Sequence, residues 1–135
     1  PISLRQAAYQ SDVLIHEATF AIEESERAAQ TGHSTSTQAA GIARDAEVKL
    51  LALNHFSIRY PASIIRDEAR EIFANTVLPR DFDTIEIPFA ERGEPALQRR
   101  SDRTAAAALP LSGSDAIAPP DDDDPTGPEP ADNVS

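Results

Sequence analysis

The chain has 135 residues, no Cys, Met or Trp, and a formal charge of −11 from 23 acidic and 12 basic residues. Without Cys there can be no disulfide, thiolate metal site or cysteine nucleophile, so any metal must be held by His and carboxylate. No apolar run approaches the ~18 residues that span a bilayer and no signal-peptide pattern opens the chain, so a cytoplasmic protein without a membrane partner is expected.

Acidity runs along the whole chain: −5 over residues 1–90 (13 acidic, 8 basic) and −6 over residues 91–135 (10 acidic, 4 basic). Eleven of the twelve cations are Arg, and the anions include four consecutive Asp at 121–124. With no basic stripe to displace counterions, a purely electrostatic nucleic-acid binder is disfavoured.

In chain order, residues 2–9 carry apolar side chains at irregular helical spacing and read as the end of a helix begun further upstream. Residues 12–16 (Asp-Val-Leu-Ile-His) read as a strand buried on both faces, and residues 17–20 as the loop at its end. Residues 21–30 form a short polar helix or loop, with Glu23, Glu24 and Glu26 near its start, where the helix dipole favours anions. Thr35 followed by Gln38 predicts a capping box, with Ser34 as a competing cap, and a helix through Arg44 or Asp45. Ala39, Ala40 and Ala43 give that helix a thin, close-packing face. Residues 48–53 are a second buried strand and 54–60 the loop after it. Pro61 suits the first position of the next helix, whose Ile64, Ile65, Ala69, Ile72 and Phe73 would cover the sheet. Residues 75–78 and 84–87 are two short strand-like segments. Strand, helix, strand, helix, strand predicts an α/β layer.

From residue 90 onward the composition changes to Ala, Pro and Asp with no aromatic residue. Such a segment buries too little apolar area to offset about 1–2 kcal/mol of backbone entropy per residue, so 90–135 is expected to be a disordered acidic tail after a domain at 1–89.

All three histidines fall where a strand ends or a helix begins: His16, His33 and His55. Ligands bind at the carboxyl ends of strands in open α/β sheets, so one edge should gather these three with Glu17. Each alone reads equally as a polar residue satisfied locally. The strand period sends His16 and Glu17 to opposite faces, so only one of them can readily face the site. There is no His-x-His or His-Glu-x-x-His, so the chain is expected to donate a ligand to a metal without holding one by itself. Ser34 and Ser57 lack a nucleophile elbow and read as cap and turn. Arg59 could clamp a phosphate or pair with a carboxylate. Asp81 reads as a turn residue.

Taken together, Leu14-Ile15-His16-Glu17-Ala18-Thr19-Phe20, then Gly32-His33-Ser34-Thr35 with Gln38-Ala39-Ala40, then Asn54-His55-Phe56-Ser57-Ile58-Arg59-Tyr60 resemble ribonuclease Z. This is the tRNA 3′-processing endonuclease family of the metallo-β-lactamase superfamily. The resemblance covers roughly residues 1–89 and implies the C-terminal half of an αββα sandwich. It implies zinc, two ions per intact site, with His55 as the one ligand in this chain. It also implies Glu17 as the residue that orients His33 and His33 as the acid that protonates the leaving 3′-oxygen. His16, Ser34 and Thr35 are expected to be structural supports, and Ser57 and Arg59 weak substrate contacts. The family's His-x-His-x-Asp-His motif, further His and bridging Asp lie upstream in intact members, and the chain has none of them. The reading is therefore a C-terminal part, inactive alone, of an enzyme that removes 3′ trailers from precursor tRNA, with a homodimer expected for the intact protein. Another phosphodiesterase of the same superfamily, or a non-catalytic module with an acidic interaction tail, are the alternatives. The Asp-rich, Arg-over-Lys composition further suggests a salt-loving host, whose cytoplasm screens repulsion from RNA.

Overall fold

The computed structural model describes residues 3–107. Its centre is a three-stranded parallel sheet in the order β1–β2–β3, built from β1 (Val13–Glu17), β2 (Leu50–Asn54) and β3 (Thr76–Val77). Helix α3 (Ser36–Asp45) links β1 to β2, and α4 (Ala62–Ile72) links β2 to β3. This is the predicted alternation. Val13 pairs with Leu50 and Glu17 with Asn54, so the two strands end together. Parallel pairing of equal strands thereby brings the residues that follow each of them to one edge.

The central strand supplies the core. Leu50, Leu51, Ala52 and Leu53 are all buried, and Leu51 and Leu53 pack with Leu14, Ile65, Ala69 and the alanines of α3. Ala39, Ala40 and Ala43 are wholly buried, which lets α3 approach both α4 and the sheet closely. Thr35 caps α3: its hydroxyl accepts from the Gln38 amide at 3.2 Å while the Gln38 side chain accepts from the Thr35 amide at 2.9 Å. Such a box satisfies two otherwise orphaned amides. Thr35, rather than Ser34, is thus the cap, as Pro61 is the residue before α4 rather than its first. No helix among the described residues is long and apolar enough to cross a membrane.

Three expectations are corrected. The opening helix, α1 (Leu4–Ala7), starts at its own capping box, in which Ser3 and Gln6 bond reciprocally, so it is not the end of a longer helix. β1 is not buried on both faces: it is an edge strand, and Ile15 is 64% exposed. Ile64 likewise faces outward, at 41% exposure, so Ile65 and Ala69 are the α4 residues fully buried in the core.

The largest correction concerns residues 90–107. Instead of disorder, β4 (Thr84–Glu86) pairs antiparallel with β5 (Ala96–Gln98), and α5 (Arg100–Ala107) follows. Arginine bonding to backbone carbonyls and to Asp83 ties this segment down, beside the burial of Pro95. Arg99 donates to the Leu78 carbonyl at 3.0 Å and to Asp83 at 2.7 Å, and Arg103 donates to the Phe82 carbonyl at 2.6 Å. The expected disorder over residues 108–135 lies outside the described residues.

Asp83 is the hub of this clasp. It accepts from the amides of Arg80 and Arg100 and from the Arg99 guanidinium, and these bonds hold its carboxyl down to about 2. A depressed folded value makes the clasp's contribution fully present above the unfolded value, near 3.8, and lost as pH falls through about 2. The Arg100 amide resonance should therefore titrate with a midpoint of about 2. In Asp83→Asn, trypsin should cut after Arg99 and Arg103 at neutral pH far faster than in the parent chain. Equal cleavage rates would show that the clasp does not hold the segment.

Candidate metal-dependent active site

Three loops meet at the edge where β1 and β2 end. The loop after β1 and the loop before α3 zip together through backbone bonds: the Phe20 amide donates to the Ser34 carbonyl at 3.3 Å and the Ser36 amide to the Phe20 carbonyl at 2.9 Å. The loop after β2 joins them when the Ser57 amide donates to the Thr19 carbonyl at 3.0 Å. Two backbone conformations help. Gly32, in the left-handed region at φ 72°, ends α2 (Ser25–Thr31) and turns the chain toward His33. His55 sits at φ 56°, a conformation that costs a non-glycine residue about 1–2 kcal/mol and that recurs at functional positions.

The result is a cluster of Glu17, His33 and His55, each offering a ligand atom within 4.8 Å of the others. The two imidazole rings lie 5.2 Å apart between centroids. Glu17 accepts three hydrogen bonds. One oxygen accepts from the Ser34 amide; the other accepts from the Thr19 amide at 2.9 Å and the Thr19 hydroxyl at 2.8 Å. Burial pushes the Glu17 carboxyl up, but the hydrogen bonds from Thr19 and Ser34 outweigh it and leave the group below its ordinary pKa. It is therefore an anion at neutral pH.

Thr19 fixes more than Glu17. Its hydroxyl lies 3.3 Å from His33 Nδ1 and 2.9 Å from His55 Nδ1. A threonine hydroxyl has one hydrogen, and the Glu17 carboxylate takes it. Both rings then donate from Nδ1 to the Thr19 oxygen, which leaves Nε2 of each ring free for other work. Holding one ring nitrogen so that the other can bind a metal or carry a proton is the usual role of a partner behind a ligating histidine. The sequence alone assigns Thr19 no role of its own; its place in the His16-Glu17-Ala18-Thr19 motif is the signal that could have given it one.

Other expected site residues lie as follows. Strand alternation puts His16 on the face opposite Glu17, and its Nδ1 lies 2.7 Å from the Glu17 carbonyl oxygen, so it stands outside the cluster. Ser34 acts through its amide, not its hydroxyl, and Thr35 is a buried cap. Ser57 accepts from the Arg59 amide at 3.3 Å. Arg59 pairs with Glu24 at 2.9 Å, and Tyr60 donates to the same carboxylate at 3.1 Å while accepting from the Ala21 amide at 2.9 Å. The local carboxylate is thus the partner Arg59 has here. Asp81 is exposed in the turn before β4.

The residues present fit a shared metal centre in part. His55 presents Nε2 on a ring fixed from behind, which suits a zinc ligand. Glu17 already accepts three protein hydrogens and is a poor third ligand. One ligand plus its supports, rather than a complete site, is what these residues can supply.

No family model matches the chain. Ribonuclease Z of Enterococcus faecalis is 49% identical over 89 residues, which is 64% of this chain and 28% of that protein. The human tRNase Z short form aligns in structure with a TM-score of 0.50 at 33% identity, over 63% of this chain and 27% of its own. The metallo-β-lactamase fold protein YhfI from Bacillus subtilis aligns with a TM-score of 0.50 at 28% identity, over 53% of this chain and 29% of its own. The chain therefore spans less than a third of the length of these relatives. Within that span, it is similar in sequence to ribonuclease Z and in structure to proteins of the metallo-β-lactamase fold.

Proposed function

We propose that this chain forms the C-terminal part of a zinc-dependent endoribonuclease that removes 3′ trailers from precursor tRNA in the cytoplasm, and that alone it is inactive. The observation that carries the reading is the Glu17–Thr19 clasp on His33 and His55, formed by loops in the stretch that matches ribonuclease Z at 49% identity. Its sparing use of Lys supports a high-salt setting, in which an acidic surface and an RNA substrate are compatible. The intact enzyme is read as a homodimer on the strength of the resemblance alone.

Each residue then has a task. Glu17 stitches the loops together and keeps a negative charge beside His33, whose Nδ1 is 3.8 Å from its carboxylate. Thr19 turns Nε2 of both rings outward. His55 supplies one metal ligand. Zinc held there would supply an activated water and offset charge on the scissile phosphate. As the oxygen of an attacking hydroxide bonds to phosphorus and the bond from phosphorus to the 3′-oxygen breaks, His33, acting as the imidazolium, gives its Nε2 proton to the departing oxygen, so the tRNA body leaves with a 3′-hydroxyl and the trailer with a 5′-phosphate. Histidine suits this task because its ordinary titration lies nearest neutrality.

The test is cleavage of a precursor tRNA by the full-length protein, with bound zinc measured on the same sample. Wild type should cut after the discriminator base, and His55→Ala should lose zinc together with activity. Zinc content and cleavage both unchanged in His55→Ala would overturn the assignment. So would two tightly bound zinc ions in the 135-residue chain by itself.

A further inference from the structure

A second feature includes Phe56, the residue after His55 in sequence. A cleft of about 450 Å³ opens between the start of α4, the end of β3 and the residue after β5, and four arginines line it: Arg66, Arg70, Arg80 and Arg99. The chain has only 12 cations against 23 acids, so a third of its positive charge gathers at one place. No Asp or Glu lines the cleft.

The four differ in how they are held. Arg70 donates from Nε to the Thr76 carbonyl at 2.9 Å, and Arg99 is fixed by the Leu78 carbonyl and Asp83. Arg66 pairs with Asp67, its neighbour in sequence, at 2.8 Å. Arg70 and Arg80 have no ion-pair partner among the described residues. Two carboxylates thus answer four guanidiniums, leaving a local excess of about two positive charges in a chain of net −11. Like charges gathered this closely repel unless an anion enters between them. The planar guanidinium fork fits phosphate oxygens two at a time, and α4 begins at this cleft without an acidic residue in its first turn.

We propose that this cleft binds the phosphodiester backbone of an RNA strand whose scissile bond lies at the His33–His55 site. The inference rests on the endonuclease reading for the choice of RNA over a free anion. Size and position favour a polynucleotide: about 450 Å³ exceeds the volume of one phosphate, and the lining residues Leu78, Pro79 and Arg80 follow β3 toward the sheet edge where β1 and β2 also end. None of its arginines belongs to the three loops that form the site, so the cleft positions substrate without touching the reacting atoms.

The experiment titrates the 135-residue chain with a fluorescein-labelled single-stranded RNA and, separately, with inorganic phosphate, at several salt concentrations. The variant is R66Q/R80Q, which leaves the Arg70 and Arg99 bonds to the backbone in place. The control is R5Q/R44Q, which removes the same charge at α1 and α3. In R66Q/R80Q, RNA affinity should fall about tenfold, and the log–log salt slope should flatten by about 1.4, from roughly 0.7 per lost single-strand contact. The control should keep the wild-type slope. Three results would overturn the proposal: no RNA binding by the wild-type chain, equal weakening in variant and control, or loss of phosphate binding alone with RNA binding intact. Because this titration reads binding and not cleavage, it stands apart from the endonuclease test.

Discussion

Replacing His33 by Ala in the full-length protein is expected to lower the rate of precursor tRNA cleavage by about 10²–10⁴-fold, the usual worth of a positioned general acid, while bound zinc stays at the wild-type level. The separation follows from the geometry. His33 and His55 share one anchor, the Thr19 hydroxyl, at 3.3 Å and 2.9 Å. Removing the His33 ring leaves the His55 contact and the three bonds into Glu17 intact, so the proposed ligand keeps its orientation. What is lost is the proton for the departing 3′-oxygen. Single-turnover cleavage measures that step apart from product release, and a substrate with a better leaving group than an alkoxide should recover much of the rate. Full activity in the variant, or loss of zinc with activity, would remove His33 from the acid role.

The second large effect concerns stability. Leu53→Ala in the 135-residue chain should cost about 2–5 kcal/mol, the range for deleting a fully buried leucine whose surroundings cannot collapse into the space. Leu53 is wholly buried, lies on the central strand, and packs with Leu51, Leu14 and the alanines of α3. Those alanines have no rotamers with which to fill a void. Domains of ordinary stability have about 5–15 kcal/mol in total, so this change removes a large share of it, and urea unfolding should report a sharply lower midpoint. Ile58→Ala, at a residue 102% exposed, should shift it by less than about 0.5 kcal/mol. A Leu53→Ala midpoint as small in its shift as that of Ile58→Ala would mean that β2 is not the centre of the core.

Local chemistry made part of this architecture legible. The capping box of Thr35 and Gln38 involves residues three apart, so its partners are visible in the sequence and the helix begins where they place it. The apolar runs that became β1 and β2, and the 3.6-residue pattern of α4, were equally local. The order of strands and helices followed from these. The motifs at 16–20, 32–35 and 54–60 pointed to the edge at which Glu17, His33 and His55 now meet.

Composition misled where it was averaged. Over residues 91–135 the absence of aromatics argued against order, yet the described part, up to residue 107, is fastened by arginines to carbonyls and to Asp83, bonds that an apolar count does not register. In the same way, Asp81 drew notice as the turn residue while Asp83, two positions on, makes the clasp.

What the sequence by itself determined is the set of elements and the residues at their ends, because caps, periodicity and strand length depend on near neighbours. What only the tertiary structure decided is which residues come together: that Thr19 serves Glu17 and both histidines, that Arg59 meets Glu24 across 35 positions, and that four arginines from three segments line one cleft. The partners of a hydroxyl, and the sum of charges around a cavity, are set by atoms brought together from distant parts of the chain. They exist only once the strands have paired in register.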